Sequence, residues 1–141
     1  MNIGNSISAR EIATSALKTQ RTRMNVIANN IANAETTRTP EGGPFRRQLV
    51  SLRGNQIRRG ANPEKLGVRV RDIVPDLTPF KEVFDPSHPD ADDKGYVKYP
   101  NVNLATEMVD LVSAQRAYEA SIAVLVSGSR MKERAMEILQ R

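Results

Sequence analysis

The sequence predicts an α+β protein, mainly α, with long N- and C-terminal helices packed as an antiparallel coiled coil and a small β-rich middle insert. Three observations carry that prediction. All eight prolines fall between Pro40 and Pro100, and six of the eight glycines fall there too, leaving only Gly4 and Gly128 in the flanks. Proline and glycine oppose a helix interior by roughly 3 and 1 kcal/mol relative to Ala, so helix is permitted at both ends and largely excluded from the middle. The flanks repeat apolar residues at helical spacing, whereas the middle alternates them over short runs. The expected division is a discontinuous helical domain of 1–35 with 103–141, and an insert of 36–102.

In the N-terminal flank, Ala13, Leu17, Gln20, Met24, Ile27, Ile31 and Ala34 follow strict 4-3 spacing, and only the neutral Gln20 interrupts the apolar seam. That is the pattern of one helix lying along another. Ser8 followed by Glu11 reads as a capping box that starts the helix. The run Asn29-Asn30-Ile31-Ala32-Asn33 has low helix propensity and suits either a fraying or a tightly packed end.

The middle reads as short strands and turns. Phe45–Val50, Val68–Arg71, Phe80–Phe84 and Tyr96–Tyr99 have strand composition or alternation. Pro40–Pro44, Arg53-Gly54-Asn55, Asn62-Pro63 and Asp85–Asp90 are turn chemistry. Charge is split: nine Lys/Arg against two acids from Arg38 to Arg71, then seven acids against Lys81 from Asp72 to Asp93. The net charge of +5 is therefore a basic block and an acidic block that nearly cancel, together with a small remainder from the rest of the chain. Such blocks fit head-to-tail contacts between subunits, or solvated loops.

In the C-terminal flank, 4-3 spacing from Leu104 gives Met108, Leu111, Gln115, Tyr118, Ile122, Leu125, Ser129, Lys132, Met136 and Leu139. Asn103 is a good N-cap, and Glu107 and Asp110 complement the positive end of the helix dipole. A helix from Leu104 to Gln140 would run about 55 Å, far beyond the usual globular length. Val109, Val112 and Val126 lie beside the seam, and Ile122–Val126 is apolar all round, which points to contacts on more than one side.

Enzymatic classes find little support. The chain has no Cys and a single His, which excludes a disulfide framework, a thiolate nucleophile and a multi-His metal centre. Asp90–Gly95 imitates the start of a calcium loop, but the fifth loop position is Lys94 and the twelfth is Asn101. His88 stands in a proline-rich turn with no Ser or Cys elbow, and Pro44 spoils Gly42-Gly43 as a phosphate cradle. No cofactor is expected. No apolar run approaches the roughly 20 residues of a membrane span, and the N-terminus lacks the basic and apolar regions of a cleavable leader.

Against that background, Leu17–Ala34 resembles the N-terminal signature of bacterial flagellar axial proteins, the rod, hook and related subunits. Thr36–Arg47, Asp85–Asp92, Gly95-Tyr96-Val97 and Pro100–Asn103 narrow the resemblance to the C-type branch of the proximal rod proteins. Glu107–Leu111 and Ala114–Ala120 fit the same branch. The resemblance spans nearly the whole chain, in the family's order, with Arg53–Lys65 unmatched. It implies terminal helices forming the inner core of a helical tube and a middle segment forming an outer, partly β domain. It also implies export through the flagellar type III apparatus without a cleaved signal, and a periplasmic place in the basal-body rod. The implied neighbours are other copies, other rod subunits, the basal junction protein and the inner-membrane ring.

The packing residues expected on this basis are Leu17, Met24, Ile27, Ile31, Leu104, Met108, Leu111, Tyr118, Ile122, Leu125, Val126, Met136 and Leu139. Two other classes compete. A basic helical nucleic-acid-associated protein rests on the Arg38–Arg71 block alone, without interleaved aromatics beyond Phe45, and requires a steep salt dependence of binding. A monomeric coiled-coil adaptor requires full helicity at low concentration, whereas a rod subunit orders its termini on assembly.

Overall fold

The computed structural model describes residues 4–56 and 66–139, with side chains described for 9–54 and 67–138. The element order is α1 (Gly4–Ala32), β1 (Gln48–Gln56), β2 (Leu66–Pro75), β3 (Lys81–Phe84), β4 (Tyr96–Tyr99) and α2 (Leu104–Leu139). Strands β1 and β2 form one two-stranded sheet, and β3 and β4 another. The chain separates into two compact units. Unit 1 comprises Met1–Arg23, Leu52–Arg71 and Ser113–Arg141; unit 2 comprises Met24–Ser51 and Asp72–Val112. Each unit takes part of both helices and part of the middle segment.

The helix starts and stops follow local chemistry. α2 begins where expected: the Asn103 side-chain oxygen accepts the N–H groups of Ala105 (3.0 Å) and Thr106 (3.2 Å), satisfying two orphan donors of the first turn. α1 begins at Gly4, so Ser8 lies inside the helix and is not its N-cap. No proline precedes Ser8 to stop the helix from extending. The side chain of Ser8 is outside the described residues. At the other end the asparagines close the helix tightly: the Asn33 amide donates to the Asn29 carbonyl and to its side-chain oxygen.

In unit 1 the two helices run antiparallel, since Arg10 near the start of α1 and Ser129, Lys132 and Met136 near the end of α2 line one hollow. β2 is fastened to α1 there by side chains one turn apart. The Val68 N–H donates to Ser15 Oγ at 3.1 Å, and Thr19 Oγ1 donates to the Val68 carbonyl at 3.3 Å. A helix thus supplies Val68 with both partners that a third strand would supply. Ala13, Thr19 and Ala114 are buried in this unit. Gln20, the polar interruption of the seam, buries its Oε1 with no hydrogen-bond partner among the described residues.

In unit 2, β3 and β4 form an antiparallel hairpin in register Lys81↔Tyr99 to Phe84↔Tyr96. Val97 is fully buried, and the Phe84 and Tyr96 rings meet edge to face at 5.3 Å. The loop joining these strands closes on itself. The Asp85 N–H donates to the Gly95 carbonyl, and the Asp92 N–H to the Tyr96 carbonyl, both at 2.9 Å.

Two expectations for the middle need correction. β1 runs through Arg53-Gly54-Asn55, which reads locally as a turn, because that stretch pairs with β2 instead. The first pair of strands, at nine and ten residues, is also longer than the short runs expected. Ladder pairing over this length outweighs the poor strand propensity of Gly and Asn. The Asn62-Pro63 turn and much of Arg53–Lys65 lie outside the described residues. So does the side chain of Leu139.

Gly95 explains why the hairpin loop needs glycine. Its φ is +81°, and an added Cβ would stand 2.9 Å from Phe84 Cε2 and 3.1 Å from Pro86 Cβ. Gly95→Ala should destabilise the chain by about 1–2 kcal/mol from the left-handed backbone alone, with more from displacing the ring. Chemical denaturation measures it, and an unchanged midpoint would contradict this account of the loop.

Candidate functional site

Among the described residues no side-chain constellation stands out as a reaction centre, and the surfaces of the two helices are taken as the candidates. α1 presents its seam inward. Ala13 and Ile27 are buried, and Leu17, Met24 and Ile31 are half-buried. Val26 and Asn30 are buried beside them, on a stripe the heptad reading did not include.

α2 has two apolar faces. Glu107, Asp110, Leu111, Ala114, Ala117, Tyr118, Ser121 and Leu125 are buried or half-buried and recur at helical spacing. Leu111, Tyr118 and Leu125 belong to the predicted seam. The remaining described seam residues stand exposed: Leu104, Met108 at 56%, Ile122 at 41% and Met136. Val126 is exposed with them, and so are Val109, Val112, Val124, Met131 and Ile138. One helix therefore carries an inward face finished within the chain and an outward face left in water. The small Ala114 is fully buried on the inward face.

Unit 2 holds these faces with a buried polar network. Glu107, in the first turn of α2, is 1% exposed. Its Oε1 accepts Arg47 Nε at 2.6 Å, and its Oε2 accepts Asn30 Nδ2 at 3.0 Å. Asn30 reads the backbone of β1 as a strand would: Nδ2 donates to the Gln48 carbonyl, and Oδ1 accepts the Gln48 N–H, both at 2.9 Å. This pattern fixes the amide's orientation, since a flip would set donor against donor.

Arg47 is also held from its other side. Its Nη1 lies 3.5 Å from Asp76 Oδ2 and its Nη2 lies 3.6 Å from Asp110 Oδ2. Its own N–H donates to Asn101 Oδ1 at 2.9 Å, while the Asn101 amide reaches Asp76 O and Thr78. Burial opposes the charge on Arg47 more than any other single effect. The hydrogen bonds and charges of Glu107 and Asp76 together outweigh it and hold the guanidinium above its ordinary value. Removing one partner of such a buried pair costs about 3–5 kcal/mol, because the other charge is left uncompensated.

The opposed charge blocks thus meet inside unit 2. Arg47 pairs with Asp76, and Arg38 Nη1 lies 3.7 Å from Asp90 Oδ1. Arg46 donates to the Asp76 carbonyl and lies 4.1 Å over the Phe80 ring. Two carboxylates of the calcium-like turn are likewise committed. Asp90 accepts the Thr37 hydroxyl at 2.8 Å, and Asp92 Oδ1 accepts the N–H groups of Lys94 and Tyr96 at 2.9 Å. His88 Nδ1 accepts the Asp90 N–H at 3.1 Å, a turn-closing role. Among the described residues no group of three or more His, Cys, Asp or Glu is placed to hold a metal ion, and no helix is long and apolar enough to cross a membrane.

Comparison with known proteins gives a consistent picture. Residues 11–38 match the family described as "Flagella basal body rod protein", and residues 93–138 match "Flagellar basal body rod FlgEFG protein C-terminal". The flagellar basal-body rod protein FlgC of Borreliella burgdorferi is 46% identical over 94% of this chain and 97% of that protein. The protein of the same name in Bacillus subtilis is 40% identical over 90% of this chain and 93% of its own length. That of Escherichia coli O157:H7 is 44% identical over 82% and 84%.

The carboxylates of unit 2 make its stability depend on pH. Asp76 is held below its ordinary value chiefly by the Thr78 N–H, Asp85 by the Ser87 hydroxyl, and Asp92 by the Tyr96 N–H. Each folded value lies below the unfolded one, so the stabilisation is complete above the unfolded carboxylate value of about 3.9 and is lost as pH falls through the folded values. The thermal midpoint should hold steady from neutral pH and drop below about pH 4. The paired Asp85→Asn and Asp92→Asn substitutions should flatten that drop; an unchanged acid slope would contradict the assignment.

Proposed function

This chain belongs to the flagellar basal-body rod protein family, and from that premise we propose that it polymerises through its terminal helices into the proximal part of the rod, the drive shaft that transmits motor torque. As a member it is a structural subunit of the basal-body rod, not an enzyme, and it assembles there with other rod subunits.

The observation that carries the proposal is the outward face of α2. A lone helix in a finished monomer has one apolar face; α2 has a second, spread over Leu104, Met108, Val112, Ile122 and Val126. Exposed apolar patches of this extent on a soluble chain are recognition surfaces. A face that meets a different face on the next copy makes a heterologous contact, which propagates as a helical filament instead of closing. On this reading the helical segments 1–35 and 103–141 form the inner layer of the tube, and 36–102 the outer one. Leu17, Met24, Ile27, Ile31, Leu111, Tyr118 and Leu125 then join the helices within a subunit. Leu104, Met108, Ile122 and Val126 then meet neighbours, whereas Met136, five turns after Tyr118, lies on the side of α2 that shares a hollow with Arg10 of α1.

Torque in such a tube passes through many helix contacts in parallel, so function resides in packing surfaces. The same proposal takes the chain through the type III export apparatus unprocessed into the periplasm. Its neighbours there are copies of itself, other rod subunits, the junction protein and the inner-membrane ring.

The test follows from the two faces. Ile122→Asp should leave the circular dichroism and thermal midpoint of the purified chain near those of the parent while abolishing rod assembly and motility. Leu125→Asp, on the half-buried side, should abolish motility too but also lower the midpoint. Full motility with Ile122→Asp would contradict the proposal.

A further inference from the structure

The three parts of the Glu107 network come from three separate stretches of chain, and no two of them satisfy it. α1 supplies Asn30, the residues leading into β1 supply Arg47 and Gln48, and α2 supplies Glu107. With the two helices alone, Glu107 would keep one protein partner, the neutral Asn30 amide, so the helix segments could close over it only by leaving one oxygen and a negative charge uncompensated. Asn30 would also lose both partners on Gln48. A buried carboxylate left in that state disfavours the helix pair strongly.

We propose that Arg47 is a positioning residue that makes the pairing of the α1 and α2 segments in unit 2 conditional on the docking of the middle segment. The helices lock only after Arg47 and Gln48 are in place, so the chain carries a built-in order of completion. The middle segment comes first, and the helix faces are set after it. Arg47 suits this role because, apart from Nη2 facing Asp110 of α2 at 3.6 Å, its other contacts anchor it to the middle segment itself. Its N–H is held by Asn101, its carbonyl accepts the Asp76 N–H at 2.8 Å, and Nη1 meets Asp76. The guanidinium is therefore presented to Glu107 only when Asp76 and Asn101 have come together.

The use of this device rests on the reading that the chain polymerises through its helices. A subunit whose outward apolar face is set early would meet other copies before its own fold is complete. The test reads the folding of the single chain, so a failure here is distinguishable from a failure of assembly.

Hydrogen exchange on the purified full-length chain tests it. Arg47→Met should raise amide exchange by at least about tenfold in both 24–32 and 104–112, remote in sequence from the substitution. Adding Glu107→Gln to Arg47→Met should bring both segments back to within about threefold of the parent, because the most deeply buried charge is then removed while Asp76 keeps its hydrogen bond from the Thr78 N–H. If Arg47→Met alone does not fold, recovery of a folded chain in the double variant supports the proposal equally. Loss of protection confined to residues 46–51 would overturn it. So would a double variant that exchanges as fast as Arg47→Met, or that stays unfolded.

Discussion

The Glu107 carboxylate sits out of water at the start of α2, and within unit 2 the end of α1 and the residues leading into β1 meet around it. A carboxylate buried at this depth is tolerated only where each oxygen has a partner and the charge is matched. Arg47 matches the charge and takes one oxygen; Asn30 takes the other. The same Asn30 amide copies a strand's hydrogen bonds onto Gln48, so the end of α1 and the beginning of β1 hold one register. Through Asn101 and Asp76 the constraint extends to the approaches of β3 and α2. The interaction is specific more than it is strong. An apolar cluster could bury as much surface, but it would not dictate which residue meets which.

That specificity matters because the helices themselves are permissive. The inward face of α2 relies on Ala114, Ala117 and Ser121, small side chains that allow close approach but encode little about axial position. Leu111, Tyr118 and Leu125 add the larger side chains of that face, while Leu104, Met108, Ile122 and Val126 stand on the outward side. The scarcity of aromatics follows the same logic. The three Phe and three Tyr cannot furnish a large self-contained core, and a subunit completed by its neighbours does not need one.

Much of this architecture was legible in the amino-acid order. Proline placement and 4-3 spacing located both helices, and Asn103 marked the start of α2 correctly. Strand positions were legible too, but the lengths of β1 and β2 were not. Gly54 and Asn55 look like a turn until pairing with β2 is known, and pairing is not a local property. The two faces of α2 were foreshadowed by the apolar run Ile122–Val126, although a heptad template could not say which residues turn inward. The Glu107 network escaped detection because each member has a plausible local reading. Glu107 passes for a dipole-compensating residue, Asn30 for a weak helix former and Arg47 for one more cation in a basic block. The available signal was Asn30 set among Val26, Ile27 and Ile31 on the inner side of α1. The link from Ser15 and Thr19 to Val68 was hidden for the same reason, since it joins residues about fifty positions apart.

The central claim is that the outward face of α2 is covered by neighbouring subunits while the inward face is already covered within the chain. The absence of cysteine makes a direct measurement available, since a single introduced thiol is the only one present. Maleimide labelling rates would be compared for Met108→Cys, Val126→Cys and Ala114→Cys in the purified chain and in isolated basal bodies. Met108→Cys and Val126→Cys should label fast in the purified chain and at least about tenfold more slowly in basal bodies, with Ala114→Cys slow in both. Equal labelling of Met108→Cys and Val126→Cys in the two states would contradict the account.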